Sequence, residues 1–358
     1  MKIYVVGGGT GGHLFPAIAL GEELKARSYD AELITDTRCL GYLPKDLKLK
    51  THILALGSIK SGLVAKLLMC FKMLFATAKM ISVFILHRPA LVVGFGGYTS
   101  FPALLAAKVL YIPIMLHEGN CFFGKVNKLF ATYAKKIALN FAETTNIPAN
   151  LKAKIIISGN PVRKEIAQIK VKRDFTGKTF RILVTGGSQG AKFFSSIVPE
   201  ALQIIHQWKP EVQIDLVQQA TVDQHNNLQT IYQKTCHKFE LAEFFKDMPQ
   251  RYLNSDLVIC RAGSSTIAEL IYLGQPAILI PFPFAAENHQ LYNAKALTDK
   301  NAAWYFEQSS MSSADLAALI LTLAADRSLL QKEKKKLREL YIESSSILAD
   351  TVEEIIKS

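Results

Sequence analysis

The sequence is short of paired cysteines and of acidic residues. Its five cysteines are scattered and show no CxxC pair, so we expect neither a disulfide framework nor a zinc site, and a reducing compartment is favoured. Lysine and arginine outnumber aspartate and glutamate by 42 to 30, which gives the 358-residue chain a net charge of +12. This charge predicts an anionic partner: nucleic acid, phospholipid headgroups or a phosphorylated substrate.

Several functional signatures are also missing. No glycine loop is followed by the GK[ST] of ATP-hydrolysing P-loops, and no RNP-like aromatic motif or zinc pattern supports nucleic-acid binding. No DxD-like acidic pair is present to hold a metal on a diphosphate. The sequence therefore predicts no metal, no cofactor and no nucleic-acid partner, although basicity alone leaves a nucleotide- or nucleic-acid-binding module as an alternative.

Long hydrophobic runs are scarce as well. The apolar start, MKIYVVGGG, has only the length of a strand and ends in glycines, so we do not expect a signal peptide. The one long apolar segment, Leu63 to Leu86, contains Lys66, Lys72 and Lys79. Because a lysine is costly at the centre of a bilayer, these three argue against a membrane-spanning helix.

What the sequence does contain is a repeated alternation of short β-branched runs and helical stretches, which predicts parallel α/β structure. The pattern begins again after residue 178, and the length suits two domains. We expect two Rossmann-like domains facing a cleft, with residues 1–160 in the first and 161–340 in the second. Ser312 to Ser358 is expected to be helical throughout, with residues 341–358 packing back on the first domain. The predicted strands are Lys2–Val6, Ala31–Thr35, Leu91–Val93, Ile112–Leu116, Lys136–Leu139, Ile155–Ile157, Ile182–Thr185, Ile214–Val217, Leu257–Cys260 and Ala277–Ile280.

The first glycine loop has two interpretations. Residues 7–12 satisfy GxGxxG after a strand, and Asp36 ends the next predicted strand, as in NAD-dependent enzymes. His13 directly after the last glycine, and Thr10 within the loop, are unusual for a dinucleotide site. Taken alone, the loop fits a tight turn, a dinucleotide or a sugar nucleotide equally.

Two later strand–loop–helix junctions are candidate anion and nucleoside sites. In TGGSQGAK (residues 185–192), glycine amides, the helix N-terminus and the hydroxyl of Ser188 favour a phosphate. In CRAGSSTIAEL (residues 260–270), Ser264, Ser265 and Thr266 offer donors, and Glu269 is placed to accept hydrogen bonds from a ribose diol. The alternatives are a helix cap at Ser188 and a capping box that ends at Glu269.

A further loop, PFPFAAENHQLYNA, clusters Asn288, His289 and Gln290 at a helix start, where they could contact sugar hydroxyls or simply face solvent. With GGGTGGHLFPAIAL, GFGGYTSFPALLAA, HEGN, GNPVR and the two junctions above, it completes an ordered set of motifs from Met1 to Ala303. In this order the set resembles the MurG family of bacterial N-acetylglucosaminyltransferases, which complete lipid II in peptidoglycan synthesis.

The resemblance implies a GT-B fold and metal-independent, inverting β-1,4 transfer from UDP-N-acetylglucosamine. It implies undecaprenyl-pyrophosphoryl-N-acetylmuramyl-pentapeptide as acceptor and a peripheral position on the cytoplasmic face of the inner membrane. The residues matched to the acceptor side are Gly96, Gly97, Tyr98 and His117. Those matched to the donor are Thr10, Gly11 and Gly12 in the loop near its sugar and the acceptor phosphate, Asn120 and Gln290 on the sugar, Arg163 and Ser188 on the phosphates, Phe245 on uracil, and Ser264, Ser265, Thr266 and Glu269 on the nucleoside. His289 joins them from its polar cluster.

The resemblance also matches His13 to the general base. The acceptor hydroxyl must lose a proton as it attacks, and histidine is the commonest base near neutrality. Glu118 is the reserve candidate, and a capping or packing role for His13 is the alternative. The family usually has glutamine where this chain has Gly119, so we expect a looser loop there and altered acceptor geometry, but the same reaction.

Residues 58–87 also predict a membrane contact. On a helix they form an apolar stripe flanked by basic residues, which is typical of helices that lie in the interface of an anionic membrane. Packing of the stripe in the protein core is the alternative. The residues assigned to the membrane are Leu67, Phe71, Lys72, Leu74, Phe75 and Lys79.

Overall fold

The computed structural model describes residues 1–57, 62–169, 175–186 and 192–357. The chain divides into two compact units. Met1–Lys164 and Ile342–Ser358 form the first unit, and Glu165–Tyr341 form the second. Each unit is built around one parallel sheet.

The described residues of the first unit form a seven-stranded sheet in the order β3-β2-β1-β4-β5-β6-β7. Every pairing is parallel. Because β1 lies between β2 and β4, the chain reverses its direction of winding there, and the carboxyl ends of β1 and β4 flank the switch point where ligands bind in such sheets. The strands are β1 Lys2–Val6, β2 Asp30–Asp36, β3 Lys50–Leu54, β4 Leu91–Gly94, β5 Ile114–Glu118, β6 Lys136–Leu139 and β7 Ile155–Ile157.

The second unit repeats this topology with six described strands in the order β10-β9-β8-β11-β12-β13. All of these pairings are parallel too. The switch point therefore lies between β8 and β11. The strands are β8 Phe180–Thr185, β9 Ile214–Gln219, β10 Lys238–Ala242, β11 Leu257–Cys260, β12 Ala277–Leu279 and β13 Trp304–Tyr305.

Helices cover the faces of both sheets, and the described residues include three short 3-10 helices, Thr37–Tyr42, Ala149–Lys154 and Ala286–Asn288. The α-helices are α1 Gly11–Ala26, α2 Leu63–Leu86, α3 Gly97–Val109, α4 Lys125–Phe130, α5 Lys164–Ala167, α6 Phe194–Trp208, α7 Val222–Thr235, α8 Met248–Asn254, α9 Ser264–Leu273, α10 His289–Thr298, α11 Ser313–Ala325, α12 Ser328–Glu339 and α13 Ser344–Lys357. The prediction of the α/β fold class is confirmed by this architecture.

Strand β1 shows why these sheets are buried on both faces. Its side chains alternate, so Tyr4 and Val6 enter a core shared with α2 and α3, while Ile3 and Val5 enter a core shared with α1 and α13. All four are fully buried. Such near-continuous apolar strands are the mark of parallel sheets covered by helices on both sides.

The C-terminal helix α13 belongs to the first unit. Leu348 and Val352 are fully buried in the core that also holds β1 side chains. Arg27 at the end of α1 donates to Asp350 at 2.5 Å and to Glu353 at 3.3 Å. Apolar burial and this ion-pair cluster together fix the last helix against α1.

The prediction of unbroken helix from Ser312 to Ser358 is wrong. The chain forms α11, α12 and α13, with breaks at residues 326–327 and 340–343. At the first break the Asp326 carboxylate accepts a hydrogen bond from the Ser328 amide at 2.9 Å. Such side-chain-to-backbone bonds compete with helix continuation and start a new helix instead.

Candidate active site

The first glycine loop joins β1 to α1 at the switch point of the first sheet. A Cβ atom on Gly7 would lie 2.3 Å from the His13 carbonyl oxygen, and Gly9 has a φ of +83°. Thr10 is the extended residue that precedes the helix. Only glycine fits the first position, and the loop thereby brings the amides of the first helical turn to the open carboxyl edge.

His13 lies in that first turn, against the loop that follows β4. Its Nδ1 is 3.5 Å from Thr10 Oγ1. Gly96 and Gly97 both have positive φ, and a Cβ on Gly97 would approach His13 Nδ1 to 3.1 Å. The two glycines, which the family resemblance matches to the acceptor side, therefore leave the space in which the imidazole lies.

Glu118 ends β5 and organises the loop that follows it. Its carboxylate accepts from the Gly124 amide at 2.9 Å, from Asn127 Nδ2 at 2.8 Å, and from the amide and side chain of Asn120 at 3.1 and 3.2 Å. The side chain is 3% exposed, and burial raises the pKa of this carboxyl even though the four donors oppose the shift. Asn140 Nδ2 donates to the Gly119 carbonyl at 2.9 Å, so the loop is held at the glycine by its backbone.

His117 precedes Glu118 on β5 and lies below the carboxyl edge of the sheet. It is 1% exposed, its ring packs on Phe95 with centroids 4.9 Å apart, and its Nε2 donates to the Gly159 carbonyl at 3.0 Å. Burial lowers the pKa of His117 to about 4, so the ring is neutral at physiological pH. It joins β5 to the GNPVR loop, whose Arg163 places its guanidinium 4.6 Å from the ring centre of Phe15 on α1.

Asp36 at the end of β2 is unsuited to hold a ribose. It is fully buried and accepts from the Arg38 amide at 2.9 Å, from Arg38 Nε at 3.1 Å and from Thr99 Oγ1. In a dinucleotide enzyme the corresponding carboxylate must be open to the ribose hydroxyls. This geometry contradicts the NAD interpretation of the first glycine loop.

In the second unit, the glycine loop after β8 is described only at its ends. Gly186 donates its amide to Gln219 Oε1 at 3.3 Å, and α6 begins at Phe194. Ser188 lies outside the described residues, so its assignment to a phosphate stays a prediction.

The junction after β11 places the predicted nucleoside residues at the start of α9. Gly263 is the N-cap residue of this helix and makes no side-chain capping hydrogen bond. Glu269 is 3% exposed and accepts from Tyr252 OH at 3.1 Å. The capping-box alternative is wrong, because Ser265 and Thr266 lie inside the helix and Glu269 lies beyond its first turn.

Arg261 is a functional candidate that the sequence did not single out. It is 9% exposed, donates to the carbonyls of Ile280 and Pro281 at 3.0 and 3.2 Å, and lies 5.0 Å from the ring centre of Phe194. Burial lowers the pKa of Arg261 to about 10. The sequence signal for Arg261 as a functional residue is a basic side chain directly after β11. The motif does not indicate that this side chain is buried.

The remaining donor candidates also lie at the carboxyl edge of the second sheet. Gln290 Oε1 accepts from the Phe282 amide at 2.9 Å, and His289 Nδ1 is 2.7 Å from the Ala286 carbonyl. Phe245, after β10, is 5% exposed. The two hydrogen bonds hold the loop that follows β12, so both side chains of α10 orient the backbone of that loop.

Helix α2 presents most of its predicted membrane face to solvent. Phe71 and Phe75 are 68% and 74% exposed, whereas Met80 and Phe84, nearer its end, are buried in the core. In the part of the chain that the structure describes, Val64–Leu86 is long and apolar enough to cross a membrane by length and composition. The core alternative therefore holds for the last turns and for the inner side of the earlier ones, where the partly buried Met69 and Met73 pack against the core. The exposed apolar residues of its first four turns are Val64, Leu67, Leu68, Phe71, Leu74 and Phe75.

Known proteins resemble both units. The family models of the Glycosyltransferase family 28 N-terminal and C-terminal domains match residues 3–139 and 181–352. A protein of Rickettsia canadensis named "UDP-N-acetylglucosamine--N-acetylmuramyl-(pentapeptide) pyrophosphoryl-undecaprenol N-acetylglucosamine transferase" is 43% identical over 356 residues, 99% of each chain. A Rickettsia bellii protein of the same name is 42% identical over 358 residues, again 99% of each chain.

Solved structures show the same fold. A crystal structure of MurG from Acinetobacter baumannii superposes with a TM-score of 0.78 at 29% identity, over 99% of this chain and 100% of that one. A UDP-N-acetylglucosamine 2-epimerase from Neisseria meningitidis, with a TM-score of 0.66 over 99% of this chain and 100% of that one, is 15% identical and shows the fold alone.

Two doubly wound parallel sheets, with the family-model matches and the superposition on MurG, give the chain the GT-B fold of glycosyltransferases. The chain belongs to glycosyltransferase family 28. The resemblance and the enzyme class predicted from the ordered motifs are thereby confirmed.

Proposed function

We propose that this enzyme transfers N-acetylglucosamine from UDP-N-acetylglucosamine to the 4-hydroxyl of undecaprenyl-pyrophosphoryl-N-acetylmuramyl-pentapeptide. The observation that carries the proposal is the match to relatives of that name over 99% of both chains. The first unit holds the acceptor and contacts the cytoplasmic face of the bacterial inner membrane. The second unit holds the donor.

The chemistry is a single in-line displacement. The acceptor 4-hydroxyl oxygen forms a bond to the anomeric carbon of N-acetylglucosamine, and the bond from that carbon to the β-phosphate oxygen breaks. UDP leaves with the bonding electron pair, and the hydroxyl proton passes to the imidazole of His13. Support for this role is the position of His13 in the first turn of α1, at the open carboxyl edge of the sheet.

Glu118 and His117 serve this site as positioning residues. Both carboxylate oxygens of Glu118 already accept hydrogen bonds from the loop, and neutral His117 is engaged with a carbonyl. A base must be within reach of the proton it removes, and His117, which is 1% exposed, does not offer that reach. Glu118 would first have to give up the hydrogen bonds that the loop donates to both of its oxygens. The acceptor proton therefore passes to His13 rather than to Glu118.

The donor is recognised by groups at the carboxyl edge of the second sheet. Glu269 accepts the ribose hydroxyls, Ser264, Ser265 and Thr266 contact the nucleoside diphosphate, and the Phe245 backbone contacts uracil. His289 and Gln290 contact the sugar. On the first unit, Asn120, Arg163 and the loop Thr10–Gly12 keep the donor roles that the family resemblance implies. Amides and hydroxyls aimed at the leaving diphosphate stabilise the charge that develops on it.

A turnover assay tests the proposed reaction. Radiolabelled UDP-N-acetylglucosamine and the lipid-linked muramyl-pentapeptide should give a labelled disaccharide-lipid and one UDP per transfer. The melting temperature should rise with UDP-N-acetylglucosamine and stay unchanged with NADH or an oligonucleotide. Label that never enters the lipid, or a melting temperature raised only by an oligonucleotide, would overturn the proposal.

Replacing Glu269 by alanine should weaken donor binding by about 1–3 kcal/mol, the cost of losing hydrogen bonds to a charged partner. The measurement is calorimetric titration with UDP-N-acetylglucosamine and with its 2′-deoxyribose analogue. Wild type should prefer the natural donor, and the variant should lose that preference. Glu211→Ala, an exposed carboxylate between α6 and β9, is the matched control. A preference retained in folded Glu269→Ala would rule out contact with the ribose.

Activity should survive EDTA. In the part of the chain that the structure describes, no group of three or more His, Cys, Asp or Glu side chains is placed to hold a metal ion. Basic and hydroxyl side chains, rather than a metal ion, are expected to bind the diphosphate of the UDP donor. The assay is initial rate with and without chelator; loss of activity that magnesium or manganese restores would contradict the prediction.

A further inference from the structure

The short helix α8 connects the two parts of the proposed nucleoside site in the second unit. It follows the loop that contains Phe245 and precedes β11, the strand that leads to α9 and Glu269. Two consecutive residues of α8, Arg251 and Tyr252, each contact one of the two residues to which the proposed function assigns the nucleoside of the donor.

Tyr252 fixes the carboxylate that is assigned to the ribose. It is 2% exposed, and its hydroxyl donates to Glu269 Oε2 at 3.1 Å. A carboxylate has about four acceptor sites on its two oxygens, so one that accepts from a tyrosine can also accept from a ribose diol. Because the phenol ring is buried, its hydroxyl has one position from which to donate. Tyr252 thereby selects one orientation of the Glu269 carboxylate before a nucleotide binds.

Arg251 holds the residue that is assigned to uracil. Its Cζ lies 4.7 Å from the ring centre of Phe245, whose side chain is 5% exposed. Arg251 Nε donates to Asp247 Oδ2 at 2.9 Å, Nη2 donates to Glu240 Oε1 at 2.8 Å, and Nη1 donates to the other oxygen of Glu240. Paired contacts of this kind hold a guanidinium in one plane. The Phe245 ring packs on that plane, which fixes the backbone of the same residue.

The two contacts concern different parts of a nucleotide. A residue's backbone supplies one donor and one acceptor at fixed positions. Uracil, like thymine, has a carbonyl oxygen at position 4, where cytosine has an amino donor. A backbone held in one direction can therefore distinguish these two bases. A carboxylate distinguishes ribose from 2′-deoxyribose, because only ribose has a 2′-hydroxyl to donate.

We propose that Arg251 and Tyr252 are positioning residues for donor specificity. Arg251 orients the Phe245 backbone for uracil, and Tyr252 orients the Glu269 carboxylate for the ribose. The inference rests on the proposed function, because it takes Phe245 and Glu269 as the nucleoside contacts. Since each residue acts through a different partner, each substitution should weaken one preference and leave the other.

Calorimetric titration with UDP, 2′-deoxy-UDP and CDP measures both preferences as ratios of Kd. Tyr252→Phe keeps the ring and loses the hydroxyl. Its preference for UDP over 2′-deoxy-UDP should fall about 3- to 10-fold, the range expected for one hydrogen bond. Its preference for UDP over CDP should not change.

Arg251→Met should give the opposite pattern. It keeps an unbranched side chain beside Phe245 but loses the fixed plane, so the preference for UDP over CDP should fall and the preference over 2′-deoxy-UDP should remain. Glu240 and Asp247 are about half exposed, so their carboxylates can return to water in this variant. Arg251→Lys keeps the charge without the paired donors and should lie between Arg251→Met and wild type.

Three further measurements separate positioning from a purely structural role. Gln250→Ala, at an exposed position of the same helix, is the matched control and should leave both ratios unchanged. In the transfer assay, KM for UDP-N-acetylglucosamine should rise in Tyr252→Phe and Arg251→Met, whereas kcat and KM for the lipid acceptor should change little. Adding Tyr252→Phe to Glu269→Ala should have no further effect on the ribose preference, because Tyr252 acts through Glu269.

The result for wild type keeps this inference distinct from the proposed function. A wild type that distinguishes UDP from neither analogue would contradict the proposed donor site and the positioning roles together. If wild type shows both preferences, the proposed donor site stands. Folded variants that then retain both preferences, or lose both equally, would overturn the roles of Arg251 and Tyr252 alone.

Discussion

His13→Ala should lower turnover by about 10²- to 10⁴-fold, the range that general-base catalysis supplies. Donor affinity should fall far less, because the proposed role of His13 is to take the acceptor proton in the transition state. The measurements are kcat by transfer of labelled sugar and Kd for UDP-N-acetylglucosamine. The imidazole packs on Gly96 and Gly97, so truncation leaves space at the surface of the loop rather than in the core.

Two comparisons separate catalysis from packing. His13→Gln fills most of the same space without a base, and it should be as slow as the alanine variant. Added imidazole should restore part of the activity to His13→Ala and none to His13→Gln. Glu118→Gln, in contrast, should mainly reduce thermal stability, because an amide cannot accept from all four N–H groups that now meet the carboxylate. Near-normal turnover in folded His13→Ala, with a large loss in folded Glu118→Gln, would reverse the assignment.

The sequence predicts the central strands of both sheets better than their edges. β1 and β11 are continuous apolar runs, because helices cover both their faces. β3, at one edge, reads KTHIL and carries half-exposed polar side chains. β13 at another edge has two residues. Neither produces an apolar run, so hydrophobic patterning missed them, although the switch points and glycine loops did not depend on them.

At the site, the sequence identifies residue types but not their burial. Asp36 fits a ribose acid by position, yet its contacts with Arg38 and Thr99 close it off. The same contacts turn Arg38, which has no motif of its own, into an oriented cation. Glu118 likewise looks like a base in the sequence until Asn127, nine residues later, is seen to donate to it. Such assignments depend on which loops meet at an edge, and no local pattern records that.

The exposed face of α2 should bind anionic membranes. Soluble proteins rarely expose contiguous apolar patches of this kind unless the patch has a partner. Phe71 and Phe75 are 68% and 74% exposed, and Lys72 lies beside them. The helix is anchored at its other end, where Met80 and Phe84 are buried. A helix held in this way can insert its phenylalanines while its lysines meet headgroups.

Phe71→Ser/Phe75→Ser should lower the vesicle partition coefficient by about 10²- to 10⁴-fold, since burying one such side chain contributes about 1.5–3 kcal/mol. Activity on a long-chain lipid acceptor should fall with it, and activity on a soluble short-chain acceptor should be spared. The positional control is Ile85→Ser/Leu86→Ser. These side chains are 64% and 75% exposed on the same helix, but about 20 Å from Phe71 at 1.5 Å per residue.

Co-sedimentation with vesicles across a salt series measures the electrostatic part of this binding. Each lysine near an anionic surface contributes about 1 kcal/mol, so Lys66→Gln/Lys72→Gln should bind less at low salt and show a flatter salt dependence. Wild type should leave the vesicles at high salt or alkaline carbonate. Retention under both conditions would mean that α2 spans the bilayer despite its three lysines. Failure of wild type to bind anionic vesicles at low salt, or equal loss in both serine variants, would remove the first turns of α2 as the membrane contact.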